Sequence, residues 1–138
     1  MPIHTGHLRF STEGHGDVID LTQGIESMLA EAGVENGLVS VFVPGSTAAV
    51  STMEYEPGGV HDLEATLERL VPSEGAYEHN RLNHDTNSHA HIRAAIVGPS
   101  ETVPIRDGQL ETGMWQQVVL IDFDDRPRER TVVVQVIS

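Results

Sequence analysis

Two runs near the C-terminus, Trp115-Gln116-Gln117-Val118-Val119-Leu120-Ile121-Asp122-Phe123 and Thr131-Val132-Val133-Val134-Gln135-Val136-Ile137, decide the fold class. Both are short, apolar and bounded by polar residues, which reads as β-strand. Working back along the chain, Glu101–Ile105 is a further strand, followed by Asp107-Gly108, a dipeptide suited to a hairpin turn that needs positive φ. Residues 38–43 (LVSVFV) form a compact β-branched run closed by Pro44, as expected of a buried strand, and a partner strand is predicted over Thr47–Tyr55. Residues 3–12 (IHTGHLRFST) read as an opening strand.

Helical spacing is confined to two or three places. Val18, Leu21, Ile25, Met28 and Ala32 recur on one helical face, with Asp17 as N-cap and Gly33 as stop. Val60, Leu63, Leu67 and Leu70 define a second helix that ends before Pro72. Ala90–Val97 is a short helix or strand broken at Gly98-Pro99. The expected class is α+β, a mixed or antiparallel sheet or sandwich carrying two to three helices, in one domain spanning residues 1–138. The apolar C-terminal strand, if it lay bare at a sheet edge, would call for cover from a symmetric oligomer.

The 138-residue chain carries a formal charge of −13, and all eight of its basic residues are arginine. Such a surface suits a salt-rich environment, and GC-rich coding would give the same arginine bias. Phosphate backbones and anionic lipid are repelled by it, so no nucleic-acid or membrane partner is expected. With no cysteine, disulfides and thiol nucleophiles are excluded. No apolar run approaches spanning length and the N-terminal residues lack a signal-peptide core, so a cytoplasmic protein is expected. No nucleophile elbow or dinucleotide fingerprint occurs.

The candidate chemistry lies in the polar, nonperiodic stretch Tyr77–His91, which holds four of the eight histidines. His79, His89 and His91 offer three imidazoles with an open fourth position, the pattern of a catalytic zinc-type site, or else they are loop histidines making ordinary hydrogen bonds. On an ideal helix positions i and i+2 point about 200° apart, so His89 and His91 converge only if the segment is extended or if His89 sits at a bend before the helix, with Asn87 or Ser88 as N-cap. His84 is the weakest of the four. Glu54 is a candidate general base or ligand, and otherwise a solvated carboxylate. Arg93, Arg106, Arg126, Arg128 and Arg130 suit phosphate or carboxylate, although most have Asp122, Asp124, Asp125 or Glu129 nearby as partners.

The order of these pieces resembles the YjbQ family, whose members are often described as secondary thiamine-phosphate synthases. The resemblance rests on Ser46-Thr47-Ala48, Glu54, Asp62, Tyr77-Glu78-His79, Asp85-Thr86-Asn87-Ser88-His89-Ala90-His91, Gly98-Pro99-Ser100, Pro104 and Gly108. Its most specific part is Gly113-Met114-Trp115-Gln116-Gln117, with Asp122 and Arg126-Pro127-Arg128 beyond it. The resemblance implies a compact sandwich or pseudo-barrel that forms a homotrimer with polar clefts near subunit boundaries. It implies a small phosphorylated metabolite as partner and a divalent cofactor, zinc or magnesium. The implied activity joins a pyrimidine diphosphate to a thiazole phosphate with release of pyrophosphate.

On that reading Glu54, His79, Asp85, Asn87 and Arg93 are the expected catalytic residues. Thr47, Ser100, Trp115 and Arg128 would bind the phosphorylated ligand, and His79, His89 and His91 the metal. The pattern departs from the family at Gly45, where many members carry histidine, and at Met114, usually threonine. His89 is the candidate replacement for the missing histidine. Rival readings are a metal-dependent hydrolase, with Glu54 taking the proton from an activated water, and a non-catalytic metal- or anion-binding trimer.

Overall fold

The computed structural model describes residues Met1–Ser138. Its elements run β1 (Ile3–Thr12), β2 (Asp17–Asp20), α1 (Thr22–Ala32), β3 (Gly37–Phe42), β4 (Ala48–Met53), α2 (Pro57–Leu70), α3 (Glu78–Asn83), α4 (Ser88–Val97), β5 (Ser100–Arg106), β6 (Gln109–Leu110), β7 (Gln117–Asp122) and β8 (Arg128–Ile137). The strands form two antiparallel sheets, of order β1-β8-β3-β5-β6 and β2-β7-β4. This is the expected α+β class, with four helices rather than two or three.

The composition of each strand follows from its place in the layers. Inward residues of the five-stranded sheet (Val39, Val41, Val103, Val132, Val134, Val136) pack on Ile25 and Leu29 of α1 and on Val50, Val118 and Leu120 of the smaller sheet. The opposite face of the smaller sheet (Ala49, Val119, Ile121, Phe123) packs on Leu67 of α2 and Ala90 and Ala94 of α4. β7 is therefore covered on both faces, which is why it reads as an unbroken apolar run. Burying its four apolar side chains (Val118, Val119, Leu120, Ile121) from water contributes roughly 1.5–3 kcal/mol apiece.

Three sequence expectations are corrected. Asp17 does not cap a helix: residues Asp17–Asp20 pair with Val119–Asp122 of β7, and α1 starts only at Thr22. Four residues of helical spacing do not distinguish a helix turn from a short strand, and the β-branched Val18 and Ile19 beside a waiting ladder decide for the strand. The expected stop is real: Gly33 takes a left-handed φ of 66°, and the N–H groups of Gly33 and Val34 close on the carbonyls of Ala30 and Leu29. The histidine stretch is not a loop but two short helices, α3 and α4, with α3 ended by His84 in the left-handed conformation (φ 51°). Finally, β8 is interior, flanked by β1 and β3, so the C-terminal strand gives no edge argument for an oligomer. The Asp107-Gly108 turn has the predicted positive φ at both residues, 52° and 78°.

Candidate functional site

The α3–α4 corner brings two of the histidines together. The rings of His79 (α3) and His91 (α4) lie 4.6 Å apart between centroids, tilted by 58°. Nε2 of His79 faces Oδ1 of Asn87 at 3.3 Å, and Nδ2 of Asn83 approaches Nδ1 of His79 at 3.5 Å. Both bonds are satisfied together when His79 carries its proton on Nε2. Asp85 adds a carboxylate 3.7 Å from the same Nε2. Asn87 does sit at the N-cap of α4, yet its side chain makes no capping bond. The cap duty passes to Asn80, whose Oδ1 accepts from the Ser88 N–H, which leaves the Asn87 amide for His79.

Behind Asn87 stands a buried ionic network joining β1, β4, β7 and β8. Arg130 donates to both carboxylate oxygens of Asp122 at 2.7 and 2.8 Å and to Oγ1 of Thr47 at 2.7 Å. Thr47 donates in turn to Asp124, which also receives Arg128 Nε at 2.9 Å and lies 3.5 Å from Nδ2 of Asn87. Thr12 donates its hydroxyl to Asp122. Burial alone would raise the Asp124 pKa. Hydrogen bonds from the Asp125 N–H, Thr47 and Arg128, with the Arg128 charge, outweigh it and hold the carboxyl at about 2. Burial likewise pushes Asp122 up, and bonds from Arg130, Thr12 and the Asp124 N–H bring it below its ordinary value. Arg130 is raised, chiefly by its bond to Asp122. All its charges are paired, so the network holds Asn87, and through it His79, in one orientation.

The other expected residues scatter. Arg93 is a correction: it is 2 % exposed and spends its guanidinium on the Val71 carbonyl, Glu64 and Glu68, tying α4 to α2. It has no donor to offer a diphosphate. Thr47 is likewise consumed by Asp124 and Arg130. Glu54 stands exposed beyond the end of β4 and does not line the cavity beside His91. Ser100 opens β5 on the surface, next to Pro99, which does line that cavity. Trp115 is 69 % exposed and Met114 more so, on the turn before β7. Arg128 remains half-buried at the rim. Arg126, one of the arginines expected to pair with a nearby aspartate, reaches Asp85 and Asp125 at 3.7 and 3.5 Å.

His89 is the chief correction to the expected metal triad. It and His91 both lie on α4, two residues apart, and face different cavities. His91 lines one of about 270 Å³ with Gly45, Ser46 and Pro99. His89 lines one of about 490 Å³ with His15, Asn80 and Asp125. It is 5 % exposed, its Nδ1 has no hydrogen-bond partner, and burial, helped by the Arg93 charge, lowers its pKa. The helix period keeps it from joining His79 and His91. No group of three or more His, Asp or Glu side chains in the chain is arranged to hold a metal ion, so the three-imidazole site does not fit.

Gly45 explains why histidine is missing there. Its φ is 139°, and a Cβ would lie 2.9 Å from Nη1 of Arg130. A side chain at this position would strain the backbone and press on the buried network. No helix is long and apolar enough to cross a membrane.

The geometry has close counterparts. A 35% identical relative from Methanothermobacter thermautotrophicus matches 99% of this chain and 93% of its own length. One from Archaeoglobus fulgidus is 36% identical, over 93% of this chain and 97% of its own. Both are described as UPF0047 proteins. Among solved structures, a YbjQ-like protein of unknown function from Sulfolobus solfataricus superposes with a TM-score of 0.92 at 29% identity, covering 98% of this chain and 96% of that one. A hypothetical protein from Aeropyrum pernix superposes with 0.90 at 36% identity, covering 98% of each chain. The family model described as UPF0047 protein YjbQ-like matches residues 6–138. With sequence and fold in agreement, the chain belongs to the YjbQ-like UPF0047 family.

Proposed function

We propose that the protein is a small-metabolite transferase that holds a diphosphate-bearing substrate at the His79–His91 cleft. The reaction to which the family resemblance points is thiamine-phosphate formation from a pyrimidine diphosphate and a thiazole phosphate. The observation that carries this reading is the imidazole pair, 4.6 Å apart, with His79 held through Asn87 against a buried ionic network. Fixing an imidazole costs entropy, and a site that has already met that cost can act without reorganising.

The chemistry follows from what the cleft offers. In the joining step the thiazole ring nitrogen gives its electron pair to a new bond with the pyrimidine's methylene carbon, while the carbon–oxygen bond to the diphosphate breaks and the diphosphate leaves with that bond's electron pair. An imidazole can supply a hydrogen bond or a proton to that leaving oxygen near neutral pH. A chain of charge −13 repels anions at long range, so capture depends on local donors. Arg126 and Arg128 at the β7–β8 turn, one carboxylate removed from His79 and Asn87, are the guanidiniums placed to supply them. No step is assigned to a resident metal ion. A reaction on phosphorylated metabolites places the protein in the cytoplasm, where such compounds are retained.

We also propose a homotrimer. The outward face of the five-stranded sheet has no helix over it, and Ile3, Ile137 and Leu38 align across β1, β8 and β3 on that face, with Phe42 exposed further along β3. Contiguous exposed apolar rows of this kind favour association.

The test is pyrophosphate release with the two substrates together and each alone. The transferase reading expects release only with both, reduced about 100-fold or more in His79→Gln and His91→Ala. Release from the diphosphate and water alone would replace it by hydrolysis. Undiminished activity in both variants would remove the cleft from the reaction.

A further inference from the structure

The turn Pro44-Gly45-Ser46-Thr47 joins β3 to β4, and its backbone donors are unspent. The N–H groups of Gly45, Ser46 and Thr47 reach no acceptor in the protein, and the Ser46 hydroxyl makes no bond either. Gly45 and Ser46 are exposed, where water can serve them. Thr47 is buried, and a buried amide without a partner is rare.

Arg130 stands beside this turn with only 9 % of its side chain exposed. Its Nε and Nη2 are occupied by Asp122 and Thr47, and Nη1 donates to nothing. The one buried side-chain polar atom that lacks both a partner and contact with solvent is Nδ1 of His89, so Nη1 of Arg130 is open to solvent. Asp122 fills the Nε–Nη2 edge of the planar fork, which turns Nη1 away from that carboxylate. It faces Gly45, where a Cβ would lie 2.9 Å from it. Any side chain at this position would cover the nitrogen; glycine leaves it bare.

Gly45 and Ser46 also form one wall of the cavity of about 270 Å³ that His91, Ala94, Ala95 and Pro99 complete. No carboxylate lines it, in a chain that carries 21 of them. Successive backbone N–H groups with a guanidinium beside them are the donors that a tetrahedral oxyanion takes up. The volume lies at the low end for organic ligand sites, which admits a phosphate on a short carbon arm and excludes a nucleotide. We propose that the Gly45–Thr47 turn and Nη1 of Arg130 bind the phosphate of a small phosphomonoester, its carbon arm lying against Ala94, Ala95 and Pro99 within reach of His91. Its place in catalysis rests on the transferase reading: the phosphorylated acceptor sits here, and the diphosphate is left to Arg126 and Arg128.

Amide-resolved NMR of the full chain during titration with methyl phosphate, at a fixed 0.15 M salt where the screening length is about 8 Å, tests this. Saturable shifts are expected at the N–H groups of Gly45, Ser46 and Thr47, with a Kd of about 1 mM or tighter. Ser46→Ala removes a hydroxyl that makes no internal bond, so it folds as the parent does. It should weaken binding about tenfold, the worth of one hydrogen bond to a charged group. Gly45→Ala, which covers Nη1, should weaken it further; if that variant does not fold, Ser46→Ala decides alone. Shifts that fail to saturate, that chloride reproduces at equal ionic strength, or that Ser46→Ala leaves unchanged would mean an adventitious ion only and overturn the proposal. The titration needs no turnover. Methyl phosphate binding therefore stands if the transferase assay fails, and its absence leaves the His79–His91 chemistry to its own test.

Discussion

Asp124 shows how one buried carboxylate supports the whole candidate site. Its folded pKa, about 2, lies below the ordinary value of 3.8. A depressed carboxyl stabilises the fold fully above the unfolded pKa, and that stability is lost as pH falls towards the folded value. The window is therefore about pH 4 down to 2, and the shift corresponds to about 2 kcal/mol. Asp124→Asn is expected to be less stable than the parent at pH 7, because Arg128 and Thr47 lose an ionic partner in a buried setting. Its urea midpoint should then fall less steeply than the parent's between pH 4 and 2. Parallel curves for the two proteins would show that Asp124 does not carry the linkage. At this scale the sequence was half legible. A run such as Asp122-Phe123-Asp124-Asp125-Arg126-Pro127-Arg128-Glu129-Arg130 advertises ion pairing, and Arg126, Arg128 and Arg130 do pair with those aspartates. That Thr12 and Thr47 join the same network depends on strands more than 70 residues apart, which no local pattern encodes.

Helix α4 illustrates what a single element decides. Its period sends His89 and His91 into separate cavities, ties Arg93 to α2, and leaves Asn87 at its start free to orient His79. The condition was readable in advance, since a helix cannot direct positions i and i+2 at one ion. Whether the segment was helical was not, because the polar composition of Tyr77–His91 hides two short helices that are stabilised by what they pack against. Arg93→Ala would leave the Val71 carbonyl and Glu64 without their guanidinium partner and Glu68 with only its bonds from Ser73. The glutamates are part-exposed and screened, so the expected loss is about 2 kcal/mol rather than the larger cost of a fully buried pair. Guanidinium unfolding should show this loss, while ligand binding per folded molecule at the His79–His91 cleft stays unchanged. A selective loss of binding without loss of stability would return Arg93 to the site.

The whole molecule is a layered stack: an outward five-stranded sheet, a twice-covered three-stranded sheet, and helices α2–α4 carrying the histidine corner. Strand positions were legible because apolar runs and turn formers are local signals. Sheet order was not, and the interior place of β8 removes the edge argument first made for an oligomer. The apolar rows on the open sheet face provide a different one. Light scattering after size exclusion is expected to give about three times the 15.0 kDa chain mass. Replacing Leu38 and Ile137 by glutamate should return the chain to a folded monomer, whereas a monomeric parent would contradict the assembly. The central claim remains the cleft itself, and nitrogen-resolved NMR of the eight imidazoles during titration with inorganic pyrophosphate tests it most directly. The account predicts saturable shifts at His79 and His91 with His84 and His61 unmoved. Shifts spread evenly over all the histidines, or none at the pair, would contradict it.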